Sequence, residues 1–260
     1  MIEVSTHSAS YPILEYDPAR EALIEPSKVI RPRDVPEHCV ICFFQEVIDK
    51  VVAEHGAKLL ARNKWEDGPH PLYEIAYGGR RLAFFQPGIG GPLAAGLLEE
   101  MIAWGCKKFI ACGGCGVLEK EIAVGHLILV TSAVRDEGVS YHYLPPAQEV
   151  LAGEAGIEAL AQTMDRLGVS YRRGKTWTTD APYRETAGKV ALRRQEGCVT
   201  VEMEAASFLA VAEFRGVPFG QVLYGGDDLS GVEWDHRSWQ SRSEVRENLF
   251  WLCAEACLSL

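Results

Sequence analysis

The segment KKFIACGGCGVLEK (residues 107–120) decides the fold class of this 260-residue chain. Its apolar part, KFIAC, is typical of a buried strand, and the glycine-rich CGGCG (112–116) that follows is typical of a loop. In open α/β sheets, ligands bind beyond the carboxyl ends of the strands, where such a loop lies. The segment therefore predicts a strand that ends at a ligand site, formed either by its cysteines or by its glycines.

Similar apolar runs alternate with helical patterns along the chain. Besides the first segment, the predicted strands are CVICFF (39–44), RLAFFQ (81–86), GHLILVTSAV (125–134), CVTV (198–201) and PFGQVLYGG (218–226). The predicted helices cover 45–56, 92–105, 154–167, 203–216 and 243–260. This alternation predicts an α/β fold, a single domain with a central twisted, mostly parallel or mixed β-sheet flanked by helices.

The composition limits the setting and the partners. Residues 1–37 are irregular and proline-rich and are predicted to form an N-terminal arm, with the α/β domain at 38–260. There is no basic segment followed by an apolar one at the start, and no apolar run of about 18 residues, so we expect a cytoplasmic protein without a membrane partner. The net charge of −10 argues against a nucleic-acid partner.

The eight cysteines favour core packing over metal or redox chemistry. Cys39 with Cys42 and Cys112 with Cys115 have the spacing of a four-thiolate zinc site. However, residues three apart on a strand point to opposite faces, so one ion cannot easily collect both members of the first pair. A redox CxxC opens a helix, which the segment after Cys115 does not. We therefore expect no metal site.

Two glycine-rich stretches are better candidates for a site. Gly113, Gly114 and Gly116 would allow a ligand to approach the backbone closely, and GIGG (88–91, including Gly90) precedes a predicted helix with N–H groups able to bind an anion. Because both stretches follow consecutive predicted strands, they indicate one small-molecule pocket.

Acidic residues follow two later strands. VEMEAA (201–206) places Glu202 and Glu204 at a strand-to-helix junction, where a carboxylate could accept hydrogen bonds from a vicinal diol or simply stabilise the helix N-terminus. Asp227 and Asp228 follow the last strand, and an Asx-type turn would account for one of them.

These motifs resemble the nucleoside phosphorylase/nucleosidase superfamily over residues 38–258. The resemblance rests on PGIGGPLAAGLLEEMIAWG (87–105), KTWTTDAPY (175–183), VTVEMEAASFLAVAEFRGVPF (199–219) and GGDD (225–228), and VRDEGVSYHYLPP (134–146) is most similar to the uridine phosphorylase branch. It implies an enzyme that cleaves the N-glycosidic bond of a nucleoside, assembled as a dimer or hexamer and without a cofactor apart from phosphate as a potential co-substrate.

The resemblance also implies roles for individual residues. Glu204 would hold the ribose hydroxyls, with Met203 under the sugar and Glu202 in support. Asp227 would protonate the departing base, with Arg237 or Arg242 as its partner. Tyr183 would line the base pocket, and Gly90 and Gly114 would contact the substrate.

The phosphate-binding residues of the family are replaced in this chain. Ala111 stands where phosphorolytic members carry an arginine, Gly114 stands where a Ser or Thr is usual, and CFFQEV (42–47) replaces the loop after the first strand. Since charge-assisted hydrogen bonds are about twice as strong as neutral ones, phosphate binding should be weakened. The acceptor is therefore phosphate or water, with Glu202 as the base for water.

Two further questions stay open at this point. Asp227 favours a purine base, whereas the upstream motif resembles uridine phosphorylases. A nucleoside-binding relative that has lost catalysis is the alternative function, and a zinc-thiolate protein is the third. Pure binding would need Glu204 but not Asp227, so the presence of both favours an enzyme.

Overall fold

A computed structural model describes residues 11–260 of the chain. The strands are β1 (His38–Cys42), β2 (Lys58–Trp65), β3 (Gly68–Tyr77), β4 (Arg80–Phe85), β5 (Lys108–Val117), β6 (Leu127–Asp136), β7 (Glu149–Leu151), β8 (Tyr171–Thr179), β9 (Cys198–Glu202) and β10 (Phe219–Asp228). The α-helices are α1 (Pro26–Val29), α2 (Gln45–Glu54), α3 (Gly91–Trp104), α4 (Ser140–Tyr143), α5 (Glu154–Leu167), α6 (Ala187–Gln195), α7 (Ala205–Arg215) and α8 (Ser243–Ser259).

The sheet is mixed and closes partly on itself. β5 pairs with β10 in parallel and with β9 in antiparallel, and β6 and β8 complete a ring of five strands between β10 and β9. β1 pairs in parallel with β5 and β4, and the antiparallel strands β3 and β2 extend the sheet from there. The predicted α/β class is confirmed, whereas closure into a ring was not predicted.

Helices cover both faces of the sheet and produce two large cores. On one face α3 and α7 pack against strand residues such as Phe85 and Phe109. On the other face α5 and α8 pack against residues such as Phe84 and Val222. Neighbouring strand residues therefore alternate between the cores, as the period of two in an extended chain requires.

The N-terminal segment that the structure describes packs against α3 and α7. Arg215 at the end of α7 pairs with Glu25 of this segment and with Glu99 of α3, at 2.7 Å in each case. Arg20 lies over the ring of Phe214, with its guanidinium carbon 4.2 Å from the ring centroid. Residues 1–10 of the predicted arm lie outside the described residues.

Three parts of the sequence-based prediction need correction. The stretch CGGCG is not a loop, because β5 continues through it to Val117. The aspartates 227 and 228 do not follow the last strand but form its final residues. The hairpin β2–β3, strand β8 and helix α6 were missed, because exposed residues interrupt their apolar patterns.

The helix α5 and the strand β10 touch backbone to backbone. A methyl group added at Gly156 would lie 2.0 Å from the carbonyl oxygen of Phe219, and one added at Gly220 would lie 2.8 Å from the carbonyl oxygen of Gly156. Only residues without a side chain allow this approach. The position of β10, which carries several residues of the site described below, therefore depends on this contact.

No helix among the described residues is long and apolar enough to cross a membrane.

We predict that Gly156→Ala destabilises the protein by about 3 kcal/mol and lowers Tm by roughly 6–12 °C, because the backbone of β10 would have to move. Thermal unfolding followed by circular dichroism measures this effect. Gly153→Ala is the matched control, since a methyl group there meets nothing within 4 Å. Equal Tm values for the two variants would contradict a tight contact between α5 and β10.

Candidate active site

A cavity of about 320 Å³ lies where the carboxyl end of β5 meets the ends of β9 and β10. β1 pairs with β5 as far as Cys112, and β9 pairs with the same edge of β5 only from Gly116. Residues 113–115 therefore have no strand partner on this edge, and Gly113 and Gly114 form part of the cavity wall. The first segment of sequence thus contributes mainly backbone to the cavity. Its Cys115 also lines the wall, where the thiol donates to the carbonyl oxygen of Tyr224 at 3.3 Å and burial raises its pKa.

Glu202 holds the junction between β9 and α7. Its Oε2 accepts hydrogen bonds from the backbone N–H groups of Glu204 (2.8 Å) and Ala205 (2.6 Å), and its Oε1 accepts one from the hydroxyl of Thr178 (2.6 Å). Burial raises the pKa of Glu202, and these donors oppose that shift. Because the lone pairs of both oxygens are engaged, Glu202 is a positioning residue, and its predicted role as a base for water lacks support.

Glu204 lies at the start of α7, inside the same cavity. Its Oε1 accepts a hydrogen bond of 2.6 Å from the N–H of Gly90, which adopts a φ of +88° before α3. This backbone angle favours glycine, so Gly90 is required for the bond. Burial, together with the adjacent charge of Glu202, raises the pKa of Glu204 to about 8, although the bond from Gly90 opposes the shift.

Asp227 reaches the cavity through an irregularity in β10. The register of β10 against β5 shifts between Gly225 and Asp228, as in a β-bulge, which can redirect a side chain. Asp227 lines the cavity, and its Oδ2 accepts a hydrogen bond of 2.6 Å from the indole N–H of Trp234. Asp228 instead caps the following turn by accepting the N–H of Ser230 at 2.7 Å. One aspartate therefore faces the cavity and the other fixes the turn.

A fourth acidic side chain, Glu185, lines the same cavity as Asp227. Glu185 directly follows the short 3-10 helix Pro182–Arg184 and is partly buried. Burial and the negative charge of Asp227 raise the pKa of Glu185 to about 7. The sequence-based analysis did not identify Glu185, and its proximity to Asp227 is the signal that only the structure provides.

The cavity contains one guanidinium among the described residues, and it is already paired. Arg246 of α8 lines the wall, and its Nε lies 2.7 Å from Oε1 of Glu46. Its guanidinium carbon lies 4.5 Å from the centre of the Phe44 ring. With four carboxyl groups in the wall (Glu185, Glu202, Glu204 and Asp227), the cavity is acidic overall.

The surroundings of Gly114 are tight for a side chain. A methyl group there would lie 3.2 Å from the ring of Tyr224 and 3.3 Å from that of Trp239. The serine or threonine that is usual in the resembled family would therefore require these rings to move. Trp239 belongs to the segment between β10 and α8 and covers this end of the cavity.

Three of the predicted contacts differ in the structure. Tyr183 lies outside the cavity wall and is 98% exposed, because the 3-10 helix turns it outward while its neighbour Pro182 lines the cavity. Arg237 pairs with Asp228 and donates to the carbonyl oxygen of Ile122 at 2.8 Å, so it is not the partner of Asp227. Arg242 is exposed at the start of α8 and does not contact Asp227.

The cysteines do not form a metal site in the part of the chain that the structure describes. All eight are free and buried, and no group of three or more His, Cys, Asp or Glu side chains there could hold a metal ion. Cys39 and Cys42 pack into different cores on opposite faces of β1. This arrangement confirms the expected orientation of the pair and leaves the zinc hypothesis without support.

Three larger hollows lie elsewhere and do not combine these groups. One of about 620 Å³ lies between the N-terminal segment and α3, and one of about 480 Å³ lies between α8 and the loop before β8. The third, of about 350 Å³, lies between the start of β6 and the start of β8. None of the three contains Glu204, Asp227 or Glu185. The cavity of about 320 Å³ therefore remains the candidate active site.

Comparison with known proteins identifies the family. The sequence profile described as the phosphorylase superfamily matches residues 37–258. The chain belongs to the phosphorylase superfamily. The predicted membership of a family of nucleoside phosphorylases and nucleosidases is thereby confirmed.

Several curated members of the superfamily are similar in sequence. The guanosine phosphorylase of Halorubrum lacusprofundi is 26% identical over 199 residues, which cover 76% of this chain and 81% of that protein. The uridine phosphorylase of Thermococcus kodakarensis is 32% identical over 160 residues, which cover 56% of this chain and 57% of that protein. The match thus spans less than two thirds of this uridine phosphorylase.

Solved structures of the superfamily share the fold. A uridine phosphorylase from Vibrio fischeri superposes with a TM-score of 0.74 at 20% identity, covering 91% of this chain and 98% of the other. An AMP nucleosidase from Bacteroides thetaiotaomicron gives a TM-score of 0.70 at 21% identity, covering 87% and 89%. At these identities the similarity establishes the architecture alone.

We predict that the protein becomes less stable as the pH rises from 6.5 to 8. An unfolded glutamate with a pKa near 4.5 is ionised throughout this range, whereas folded Glu204 and Glu185 retain protons up to about pH 8 and 7. The folded state therefore binds more protons, and its stability falls as they are lost. His38, with a pKa lowered to about 4 mainly by burial, acts in the opposite direction, because the unfolded imidazole with a pKa near 6.5 binds more protons. Most of this effect lies below pH 6.5, and only its small remainder offsets the fall between pH 6.5 and 8.

Differential scanning fluorimetry at constant ionic strength measures this dependence as a fall in Tm. Glu204→Gln removes one titrating group and should flatten the curve. Glu158→Gln, at an exposed position on α5, should keep the slope of the unmodified protein. A Tm that is constant or rises over this pH range would contradict the proposed protonation of the buried carboxyl groups.

Proposed function

We propose that this protein cleaves the N-glycosidic bond of a purine nucleoside and transfers the ribosyl group to water. The observation that carries the proposal is the distribution of charge in one cavity. Glu204 and Met203 lie on the β9–α7 side, Asp227 and Glu185 line the same cavity, and the single guanidinium in the described wall is paired with Glu46.

Glu204 would bind the hydroxyl groups of the ribose. A carboxylate whose position is fixed by the N–H of Gly90 can accept hydrogen bonds from two vicinal hydroxyl groups. Met203 provides an adaptable apolar surface beside it. Binding of the hydroxyl groups favours the ionised carboxylate, so the sugar would lower the pKa of Glu204 from its raised value.

Asp227 and Glu185 suit the base. Cleavage leaves negative charge on the departing heterocycle, and a proton donor at this position stabilises the leaving group. With a pKa of about 7, Glu185 holds a proton near neutral pH, and the negative charge of Asp227 in the same cavity contributes to this shift. This division extends the sequence-based hypothesis, in which Asp227 alone served as the acid.

Water suits the acceptor position better than phosphate does. A phosphate dianion would enter a wall with four carboxyl groups and would meet no unpaired guanidinium among the described residues. Ala111 and Gly114 offer neither a cation nor a hydroxyl group. Those carboxyl groups of the wall that are ionised would repel a dianion, and a neutral acceptor avoids this repulsion.

Transfer to phosphate is the second candidate, favoured by the relatives that are described as phosphorylases. The two reactions differ in their products. The purified protein is incubated with guanosine, inosine, adenosine and uridine, with and without phosphate, and the products are separated by chromatography. We expect free ribose and a purine base at a rate that phosphate does not increase.

Ribose 1-phosphate that forms only when phosphate is present would replace water with phosphate as the acceptor. Cleavage of uridine alone would overturn the assignment of a purine base. If nucleosides raise Tm but no base appears over hours at high protein concentration, the protein is a binding member of the family.

We predict that Glu185→Gln lowers kcat about 100-fold at pH 6.5, within the range for loss of a general acid. In the unmodified protein kcat should fall as the pH rises above about 7, because Glu185 loses its proton. The variant should lack this fall between pH 6.5 and 8.5.

The contrasting variant is Glu204→Gln, which should lower both kcat and nucleoside affinity but keep the alkaline fall. Steady-state kinetics across the pH range distinguish the two. An unchanged alkaline fall in Glu185→Gln would transfer the role of acid back to Asp227.

A further inference from the structure

Gln221 has no hydrogen-bond partner for its side chain, although it is buried beside the cavity. The residue is 1% exposed, and neither its Oε1 nor its Nε2 bonds to another group in the described structure. It forms part of the cavity wall together with Gly113, Glu204 and Leu223.

The fold does not require an amide at this position. Gln221 lies on β10 opposite Ala111 of β5, and the residues that follow it, Val222 and Leu223, are buried and apolar. An apolar side chain of similar length would fill the same space, whereas a buried amide without partners carries an uncompensated desolvation cost. Such groups in native proteins usually bind ordered water or a ligand.

Gln221 lies next to the position at which this chain lacks an arginine. The backbone register places Gln221 directly beside Ala111, the residue that stands where the resembled phosphorylases carry an arginine. An amide offers one acceptor and two N–H donors without net charge. This combination matches a water molecule, which both donates and accepts, and suits a dianion poorly.

We propose that Gln221 holds the acceptor water of the glycosidic cleavage, an inference that rests on the proposed hydrolysis. Its Oε1 accepts one water proton and its Nε2 donates to one lone pair of the water oxygen. The second lone pair is then free to attack the anomeric carbon. Gln221 touches the reacting water and orients it without removing its proton.

The step balances with water as the one reactant added. The C–N bond breaks with its electron pair on the base nitrogen, and the base receives a proton from the Glu185–Asp227 pair. The water oxygen forms the new bond to the anomeric carbon and loses one proton to solvent. The carboxyl pair regains a proton from solvent, so no oxidant or reductant is involved.

The test compares Gln221→Met, which keeps the length of the side chain and removes its polar atoms, with the unmodified protein. We expect kcat for hydrolysis to fall about 100-fold, the scale reported for loss of one oriented polar group at a reacting centre, with nucleoside KM changed less than about 3-fold. Tm should be equal or higher, because an unpartnered amide has been removed.

A second measurement tests the choice of acceptor separately from the rate of cleavage. In buffer that contains methanol at a concentration that leaves the Tm of the unmodified protein unchanged, the ratio of methyl riboside to ribose reports how strongly water is preferred. This ratio should rise in Gln221→Met and in the shorter amide variant Gln221→Asn. Thr200→Val, which alters a buried polar residue of β9 outside the cavity wall, should leave both rate and ratio unchanged.

Each failure has a different signature. If the unmodified protein hydrolyses nucleosides and both Gln221 variants keep its rate and product ratio, the amide binds only structural water and this inference is wrong. If the unmodified protein requires phosphate, both the proposed hydrolysis and this inference are overturned. If the variants lose nucleoside affinity to the same extent as kcat, Gln221 contacts the substrate and not the acceptor.

Discussion

The candidate site depends on one buried carboxylate, that of Glu202. Its two oxygens accept hydrogen bonds from the first N–H groups of α7 and from Thr178, which joins the helix end to strand β8. These donors would otherwise be unsatisfied at a helix N-terminus. By fixing the first turn, Glu202 places Glu204 in the cavity, where it reaches the N–H of Gly90 before α3. Groups from α3, α7, β8 and β9 thus meet at Glu202 and Glu204.

The second constraint is the closure of the sheet. β5 contacts β10 along one edge, while β1 and then β9 share the other edge. The interval between β1 and β9 opens the cavity, and the irregularity in β10 places Asp227 at its side. Four carboxyl groups can lie in one cavity for two reasons. Backbone N–H groups hold Glu202 and Glu204 in place. Burial raises the pKa of Glu204 and Glu185, so these two groups retain protons and their mutual repulsion is reduced.

Local patterns in the sequence were sufficient to predict most of the buried strands and the long helices. The buried strands and the helices α2, α3, α5, α7 and α8 follow from apolar periodicity, and Glu204 with Asp227 could be found from a family motif. The ring of strands could not be predicted, because it depends on pairing between residues about 100 positions apart, such as Val222 with Cys112. Glu185 belongs to no apolar pattern. Gln221 lies within a buried strand, and the sequence does not show that its side chain reaches the cavity. The pairing of Arg237 with Asp228 depends on a turn that the sequence does not specify.

The indole of Trp234 has a consequence for the order of events in turnover. The indole N–H donates to Oδ2 of Asp227 and Trp234 is 62% exposed, so this carboxylate is held by the segment between β10 and α8. On the proposed function, an incoming heterocycle would compete with the indole for the same oxygen, and the indole would return as the base departs. The segment would then weaken binding of the base at equilibrium and would also offer a replacement partner that promotes product release. One hydrogen bond would set both the affinity of the site for the base and the rate at which the base leaves.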